Sequence, residues 1–201
     1  VPRTLKTGVY FNDKILPKTK LNLSYTFTNG DVTSKSSTFS QYFLSDSSYN
    51  AEYNYQSFQE TQAHRANITV KQTIDSLTDL EVKSNIKINS GSKEESTMQK
   101  FSQSNSDIFR SNSIENKSQT SGTDLGVEAR LIRNFTKRDR KLVMSYSYNG
   151  NDADGTGYLF NEDDNFIDST LNDTINQQKL KSNKKRDNSF SVSYVEPITK
   201  K

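Results

Sequence analysis

The chain has 201 residues and nearly balanced charge, 27 basic against 24 acidic residues, which gives a net charge of +3. Only 30% of the residues are hydrophobic and the mean hydropathy is −0.89, whereas an ordinary globular domain is about 45 to 50% apolar. The composition therefore excludes a two-layer domain with a large core, the mixed charge excludes a clustered nucleic-acid face, and zero cysteines exclude disulfides and thiolate metal sites.

Three kinds of chain fit this composition: a disordered chain, a repeat array, or a barrel whose interior is wet. The 10 tyrosines and 11 phenylalanines, set among alternating polar residues, are too many for a disordered tail. No apolar run approaches the roughly 18 residues that a membrane-spanning helix needs, so we exclude a helical membrane protein.

The first clear strand covers residues 19–28, which read T-K-L-N-L-S-Y-T-F-T. Apolar side chains occupy every second position, which predicts a strand with one apolar and one polar face. A weaker alternation through Val9 and Phe11 precedes it, and Asn29-Gly30-Asp31 predicts a turn after it. Small neutral groups on one face and aromatics on the other suit a strand between lipid and a watery lumen.

The same alternation recurs along the chain in residues 38–44, 49–55, 66–70, 80–88, 125–131, 142–148 and 190–194. Residues 89–122 are rich in serine, asparagine and lysine, and they predict only two weak strands. A long polar stretch begins at Asn149, and weak strands around Tyr158 and Gln178 interrupt it.

We expect the apolar side chains of the strongest strands to face lipid. These residues are Leu21, Leu23, Tyr25, Phe27, Ile68, Val70, Val82, Ile86, Leu142, Met144, Tyr146, Tyr148, Phe190, Val192 and Tyr194. The tyrosines would form interfacial aromatic girdles, and this prediction also includes Tyr53 and Tyr55. The alternative is ordinary packing inside a soluble β-sheet, which would bury the same tyrosines.

Turn signals fall near residues 15, 46, 76, 106, 138 and 168, a spacing of roughly 30 residues. One hairpin with strands of about 10 to 13 residues would need that length, so we interpret each repeat as one transmembrane hairpin. A solenoid or propeller also repeats at such a period, but it would repeat residue identities and not only the apolar phase. The sequence thus predicts an all-β, antiparallel transmembrane β-barrel with about a dozen strands.

Three phrases of the sequence resemble a known family. They are H-R-A-N-I-T-V-K-Q-T-I-D-S-L-T-D-L (64–80), R-L-I-R-N-F-T-K-R-D-R-K-L-V-M-S-Y-S-Y-N-G-N-D-A-D-G (130–155) and S-V-S-Y-V-E-P-I-T-K (191–200). The phrases are similar to outer-membrane β-barrel proteins of the TonB-dependent-receptor-like type found in Bacteroidetes. They are strand and turn phrases, not active-site signatures.

The resemblance implies a larger barrel of about 22 strands with an N-terminal plug. Residues 1–201 would be one part of that barrel domain, cut at both ends and lacking the plug, in the cell outer membrane. Implied partners are outer-membrane lipid, TonB through a missing N-terminal segment, and a surface lipoprotein or envelope complex. No nucleic-acid partner is expected.

Candidate chemical sites are few. His64 is the single histidine, and a lone imidazole without cysteine is a poor metal site or general base, so we interpret it as a rim or loop residue. Asp152 and Asp154 form a D-x-D-G arrangement that could wrap a hard cation, yet the flanking residues do not fit an EF-hand loop. We therefore interpret this segment as a solvated surface loop and keep the two aspartates as weak metal candidates. We expect no catalytic residues and no cofactor.

Charged clusters have two interpretations. The acidic residues Glu162, Asp163, Asp164 and Asp168 could bind a cation at the barrel rim, but we interpret them as a solvated turn that resists edge pairing. The basic clusters, at Lys18 and Lys20, at 137–141 and at 184–186, could contact anionic lipid head groups or simply lie in solvated turns.

The function that we expect is an outer-membrane receptor and transporter, in which the barrel forms the conduit and long outer loops form the capture surface. Two alternatives remain: a structural barrel that anchors a cell-envelope complex and transports nothing, and a secreted β-rich adhesin or solenoid. The sequence does not identify a transported substrate.

Overall fold

A computed structural model describes residues 2–45, 47–103 and 107–198, and these form one antiparallel sheet in sequence order. Its seven strands are β1 (Arg3–Leu16), β2 (Thr19–Phe43), β3 (Ser48–Asp75), β4 (Thr78–Gln103), β5 (Ile108–Asn134), β6 (Lys141–Asn165) and β7 (Asp173–Val195). A 3-10 turn, Ser169–Leu171, precedes β7. The predicted all-β antiparallel class is confirmed.

The number and length of the strands differ from the prediction. Seven strands of 14 to 28 residues replace the expected dozen short ones. The described connections lie close to the predicted turns, although Asp46 and residues 104–106 lie outside the described residues. Each repeat of about 30 residues is therefore one long strand and its turn, not a complete hairpin.

The turn predicted at Asn29-Gly30-Asp31 is wrong, because these residues lie inside β2. Gly30 belongs to a cross-strand row on one face of the sheet in which threonine and glycine alternate: Thr4, Gly30, Thr61, Gly91, Thr120 and Gly155. The Thr61 hydroxyl donates to the Gly30 carbonyl at 3.4 Å. A glycine within a strand here allows close approach of neighbouring side chains and does not break the strand.

The polar stretch from Asn149 is also a strand and not a loop, since it forms the second half of β6. Residues 149–163 of β6 pair with β5 on one side and with β7 on the other. Backbone hydrogen bonds on both sides hold this segment extended, although its side chains show little alternation.

The sheet is a single layer with two chemically different faces. We call the face that carries Leu21, Leu23, Tyr25 and Phe27 the apolar face, and the opposite one the polar face. No hydrophobic side chain is buried anywhere in the described residues, so no core exists within them. Among the same residues, no helix has the length and apolarity to cross a membrane.

The sheet has two ends along its strands. At the turn end, residues 17–18, 76–77 and 135–140 connect β1 to β2, β3 to β4 and β5 to β6. The connections from β2 to β3, from β4 to β5 and from β6 to β7 lie at the far end. β1 and β7 are the two edges, and both run towards the turn end.

Candidate functional site

An apolar belt crosses the whole apolar face near the turn end. Strand pairing places Leu21, Val70, Val82, Ala129, Tyr146 and Phe190 in one row across six strands. The belt consists of this row and its apolar neighbours: Val9, Phe11, Leu23, Tyr25, Phe27, His64, Ala66, Ile68, Leu80, Ile86, Ile88, Leu125, Val127, Leu131, Leu142, Met144, Tyr148, Val192 and Tyr194. The belt is about 20 Å tall along most strands and about 27 Å tall along β4.

The belt runs obliquely across the strands. On β2 the midpoint of the belt is at the level of Ser24, although the Ser24 side chain points to the polar face. Strand pairing aligns Ser24 with Asp187 of β7, by way of Asn67, Asn85, Gly126 and Asn149. The centre of the belt on β7 is Val192, five residues nearer the turn end. The shift grows from strand to strand, since the midpoint of the belt is at the level of Ser84 on β4, Glu128 on β5 and Ser145 on β6.

This shift converts to an angle. Five residues span about 17 Å and five strand spacings span about 24 Å, so the belt is inclined by about 35° to the hydrogen-bonded rows. Strands in closed barrels tilt by roughly 35 to 45° from the barrel axis. A horizontal apolar band around a tilted barrel would show this obliquity.

Nothing in the described chain covers the belt. Val9 is 72% exposed, Phe190 63% and Ile88 51%, and each lies on the apolar face. An uncovered apolar surface of this extent is rare on a soluble monomer and marks contact with a partner or a membrane.

All fifteen residues predicted to face lipid lie on the apolar face, within the belt. The interfacial prediction for Tyr53 and Tyr55 is wrong: both point to the polar face, near the far end, because the apolar phase of β3 reverses between residues 55 and 66. The Tyr55 hydroxyl donates to Glu95 at 2.7 Å there.

His64 lies on β3, at the margin of the belt nearer the far end of the sheet, and not in a loop. Its ring lies 4.9 Å from that of Phe27, and its Nδ1 is 2.7 Å from the Tyr25 hydroxyl. Among the described residues, no group of three or more histidine, aspartate or glutamate side chains could hold a metal ion.

The two weak metal candidates also lie on a strand. Asp152 and Asp154 are alternate residues of β6 on the apolar face, beyond the belt. The Asp152 carboxylate accepts a hydrogen bond from Arg186 at 2.6 Å, so a guanidinium already neutralises its charge. The predicted surface loop is wrong, because β6 is extended at this position.

The acidic residues at the end of β6 separate onto different surfaces. Glu162 and Asp164 point to the apolar face, whereas Asp163 points to the polar face and accepts from Arg110 Nε at 2.9 Å. Asp168 caps the 3-10 turn, and hydrogen bonds from the hydroxyl and backbone of Thr170 lower its pKa.

The polar face opposite the belt is lined by serine, asparagine, threonine and charged residues. An open cleft of about 710 Å³ lies there, with Asn67, Asn85, Ser145, Ser147 and Ser189 among its lining. Gly126 makes room in this wall, since a Cβ atom at that position would lie 2.1 Å from Asn85 Oδ1. Such a surface is compatible with water and with polar solutes.

Each end of the sheet has its own side-chain cluster. At the turn end, Glu196 accepts from Arg140 at 2.9 Å, from Tyr194 at 2.7 Å and from Lys137. This cluster joins the turn between β5 and β6 to the end of β7.

At the far end, an aromatic cluster lies on the side of the polar face. The Tyr42 and Tyr49 rings stack at 4.8 Å, and Tyr49 lies 6.4 Å from Phe101 and 6.3 Å from Phe109. The cluster joins the β2–β3 hairpin to the β4–β5 hairpin.

Comparison of the sequence with known protein-family models gives no match. Comparison with curated proteins also gives no significant match.

Proposed function

We propose that this chain forms part of the wall of an outer-membrane β-barrel of the TonB-dependent-receptor-like type, which acts as a conduit for solute uptake. The observation that supports this proposal is the oblique belt, which is apolar on one face, uncovered, and opposed by a polar face. Transmembrane barrel strands carry an apolar band about 25 Å tall on the outside and polar residues inside.

The proposal also has a physical rationale in the backbone. In hydrocarbon every backbone N–H and C=O must be paired, and an antiparallel sheet closed into a barrel achieves this without free edges. The described sheet has two free edges, so a barrel needs further pairing at β1 and β7. That TonB would supply the energy for uptake is inferred from the family resemblance alone.

The conduit would extend well beyond the membrane. From Phe27 at the top of the belt, β2 continues for sixteen more residues to Phe43, a length of about 54 Å along the strand. The outer surface of the proposed receptor is therefore largely continuous sheet, in place of the long loops that the sequence suggested.

Nitroxide labelling tests the proposal, and the absence of cysteine makes single-cysteine labelling simple. Spin labels would be placed on Leu23→Cys and Tyr146→Cys of the belt, with their neighbours Ser24→Cys and Ser147→Cys as matched controls. In lipid vesicles, the belt labels should relax with membrane-dissolved oxygen and the controls with a water-soluble nickel reagent. Equal aqueous accessibility at all four positions would reject the membrane assignment.

A further inference from the structure

The two faces of the sheet carry opposite net charge, although the whole chain is almost neutral. Leaving out Asp75, which lies beside a bulge, the strands place fourteen basic residues on the polar face: Lys6, Lys14, Lys20, Arg65, Lys71, Lys83, Lys87, Lys93, Arg110, Arg130, Lys141, Lys179, Lys181 and Lys185. Eight acidic residues share that face: Asp79, Glu81, Glu95, Asp124, Glu128, Asp163, Asp173 and Asp187. The polar face therefore has an excess of six positive charges.

The apolar face has the opposite balance. Its seven basic residues are Arg3, Lys35, Lys100, Lys117, Arg133, Lys184 and Arg186. Its ten acidic residues are Asp13, Asp31, Glu52, Glu60, Glu94, Glu115, Asp152, Asp154, Glu162 and Asp164. Segregation of charge by face is invisible in the net charge of the chain.

The positive charge is densest at the turn end of the polar face. Lys14 lies directly opposite Lys20, and Lys20 lies directly opposite Lys71. Like charges on directly opposed residues destabilise a sheet, since their Cβ atoms are only about 5 Å apart. Bound anions would relieve this repulsion.

These lysines line an open cavity of about 660 Å³ beside the β1–β2 turn, together with Lys18, Asn12 and Thr73. Lys71 pairs with Glu81 at 3.1 Å, but that carboxylate is shared with Lys83 at 3.4 Å. In the described part of the chain, Lys14, Lys18 and Lys20 form no ion pair.

One carboxylate, that of Asp13, also borders the cavity. Asp13 is on the apolar face by register, and its Oδ1 accepts from the backbone N–H of Lys14 at 2.7 Å. It does not neutralise the lysine ammonium groups on the polar face.

We propose that the polar face is an anion-selective wall. We further propose that the cavity lined by Lys14, Lys18, Lys20 and Lys71 is a binding site for small solutes that carry phosphate or carboxylate groups. Lysine and arginine lining a pore select anions, and lysine ammonium groups bind phosphate as point charges. This inference rests on the proposed function, because the polar face is an inner wall only in a barrel.

Direct binding provides the first test, with inorganic phosphate as the probe. Phosphate would be titrated into the protein in neutral detergent micelles at constant ionic strength and followed by calorimetry. The variant K14Q/K20Q leaves the Lys71–Glu81 pair intact, and we expect it to weaken binding by about tenfold or more. The control K35Q/K100Q makes the same charge change on the apolar face and should leave binding unchanged. Absence of phosphate binding to the wild-type protein, or equal loss in both variants, would overturn the site.

Conductance across a planar bilayer provides the second test, and it is measured on the closed barrel that includes this sheet, because the seven strands leave two free edges. Under a potassium chloride gradient, the wild-type reversal potential should show preference for chloride, and K14Q/K20Q should reduce that preference. Cation preference in the wild-type protein would overturn the anion-selective wall. Phosphate binding without any conductance would support the lysine site and reject the conduit, so the two proposals fail separately.

Lipid head groups also carry phosphate, and a third experiment distinguishes binding of a lipid head group from binding of a soluble anion. The titration would be repeated in nanodiscs of phosphatidylglycerol and of phosphatidylcholine. Equal phosphate binding in both lipids is expected for a site inside the barrel. Competition by phosphatidylglycerol would overturn the solute assignment.

Discussion

Glu196 illustrates what one residue contributes at the turn end. The guanidinium of Arg140, with Lys137 and the Tyr194 hydroxyl, lowers the pKa of Glu196 from 4.5 to about 2. The same carboxylate raises the pKa of Arg140. A carboxyl whose pKa is lower in the folded state stabilises the fold above its unfolded pKa and loses that effect as the pH falls through its folded pKa.

We therefore expect Glu196→Gln to lower the thermal unfolding midpoint at neutral pH. The difference from the wild type should persist down to about pH 4.5 and disappear as the pH approaches about 2. Glu60→Gln is the control, since Glu60 forms no ion pair in the described structure. A difference between wild type and E196Q that does not change with pH would contradict this assignment.

At the scale of elements, the long strands extend far past the belt and need support of their own. Alternation predicted the strand phase correctly near the turn end, where one face is apolar. It predicted strand length poorly, because polar residues on both faces of the outer segments give no period-two signal. Pairing with two neighbours decided that these segments are strands.

The aromatic cluster at the far end is the element that holds the outer hairpins together. An aromatic pair contributes about 0.5 to 1.5 kcal/mol beyond its buried area. We expect Tyr49→Ala to speed amide exchange at the β2–β3 hairpin by up to about tenfold, without affecting Ile68 in the belt. The readout is the Leu44 amide, which donates to the Ser47 carbonyl at 2.8 Å.

Phe43→Ala is the matched control for this experiment. Phe43 ends β2 next to Tyr42 but points to the other face and is 77% exposed. Its replacement should leave the exchange rates near wild type. Equal acceleration by both variants would show that the stacked rings do not hold the hairpins.

At the scale of the whole molecule, strand direction constrains how a barrel could close. Every pair in the sheet is antiparallel, yet β1 and β7 both run towards the turn end. Direct pairing of these two edges would be parallel. The proposed barrel therefore needs additional strand between them, in keeping with the larger barrel that the family resemblance implies.

Disulfide trapping tests this closure. Val9 and Val192 lie near the centre of the belt on β1 and β7, so direct closure would bring them to the same level. We expect no cross-link in V9C/V192C under mild oxidation in membranes. The positive control is L23C/I68C, whose positions are directly opposed on β2 and β3. Efficient cross-linking of V9C/V192C would show that the seven strands close on themselves.

Local sequence pattern was enough to predict which side chains of each strong strand share a face, and where most turns lie, because both depend on residues close together in the chain. It also predicted that small polar and charged side chains share the opposite face. The predicted surface loop around Asp152 and Asp154 and the predicted long loops were wrong, because local polarity does not show whether a segment pairs with neighbouring strands.

The alignment of the strands with one another became known only from their pairing in the folded sheet. Register between strands placed the belt at about 35° to the rows, separated the charges between two faces, and set Lys14, Lys20 and Lys71 side by side. These features arise from backbone pairing between residues far apart in sequence, and the side-chain pattern of a single strand contains no information about its neighbours' register.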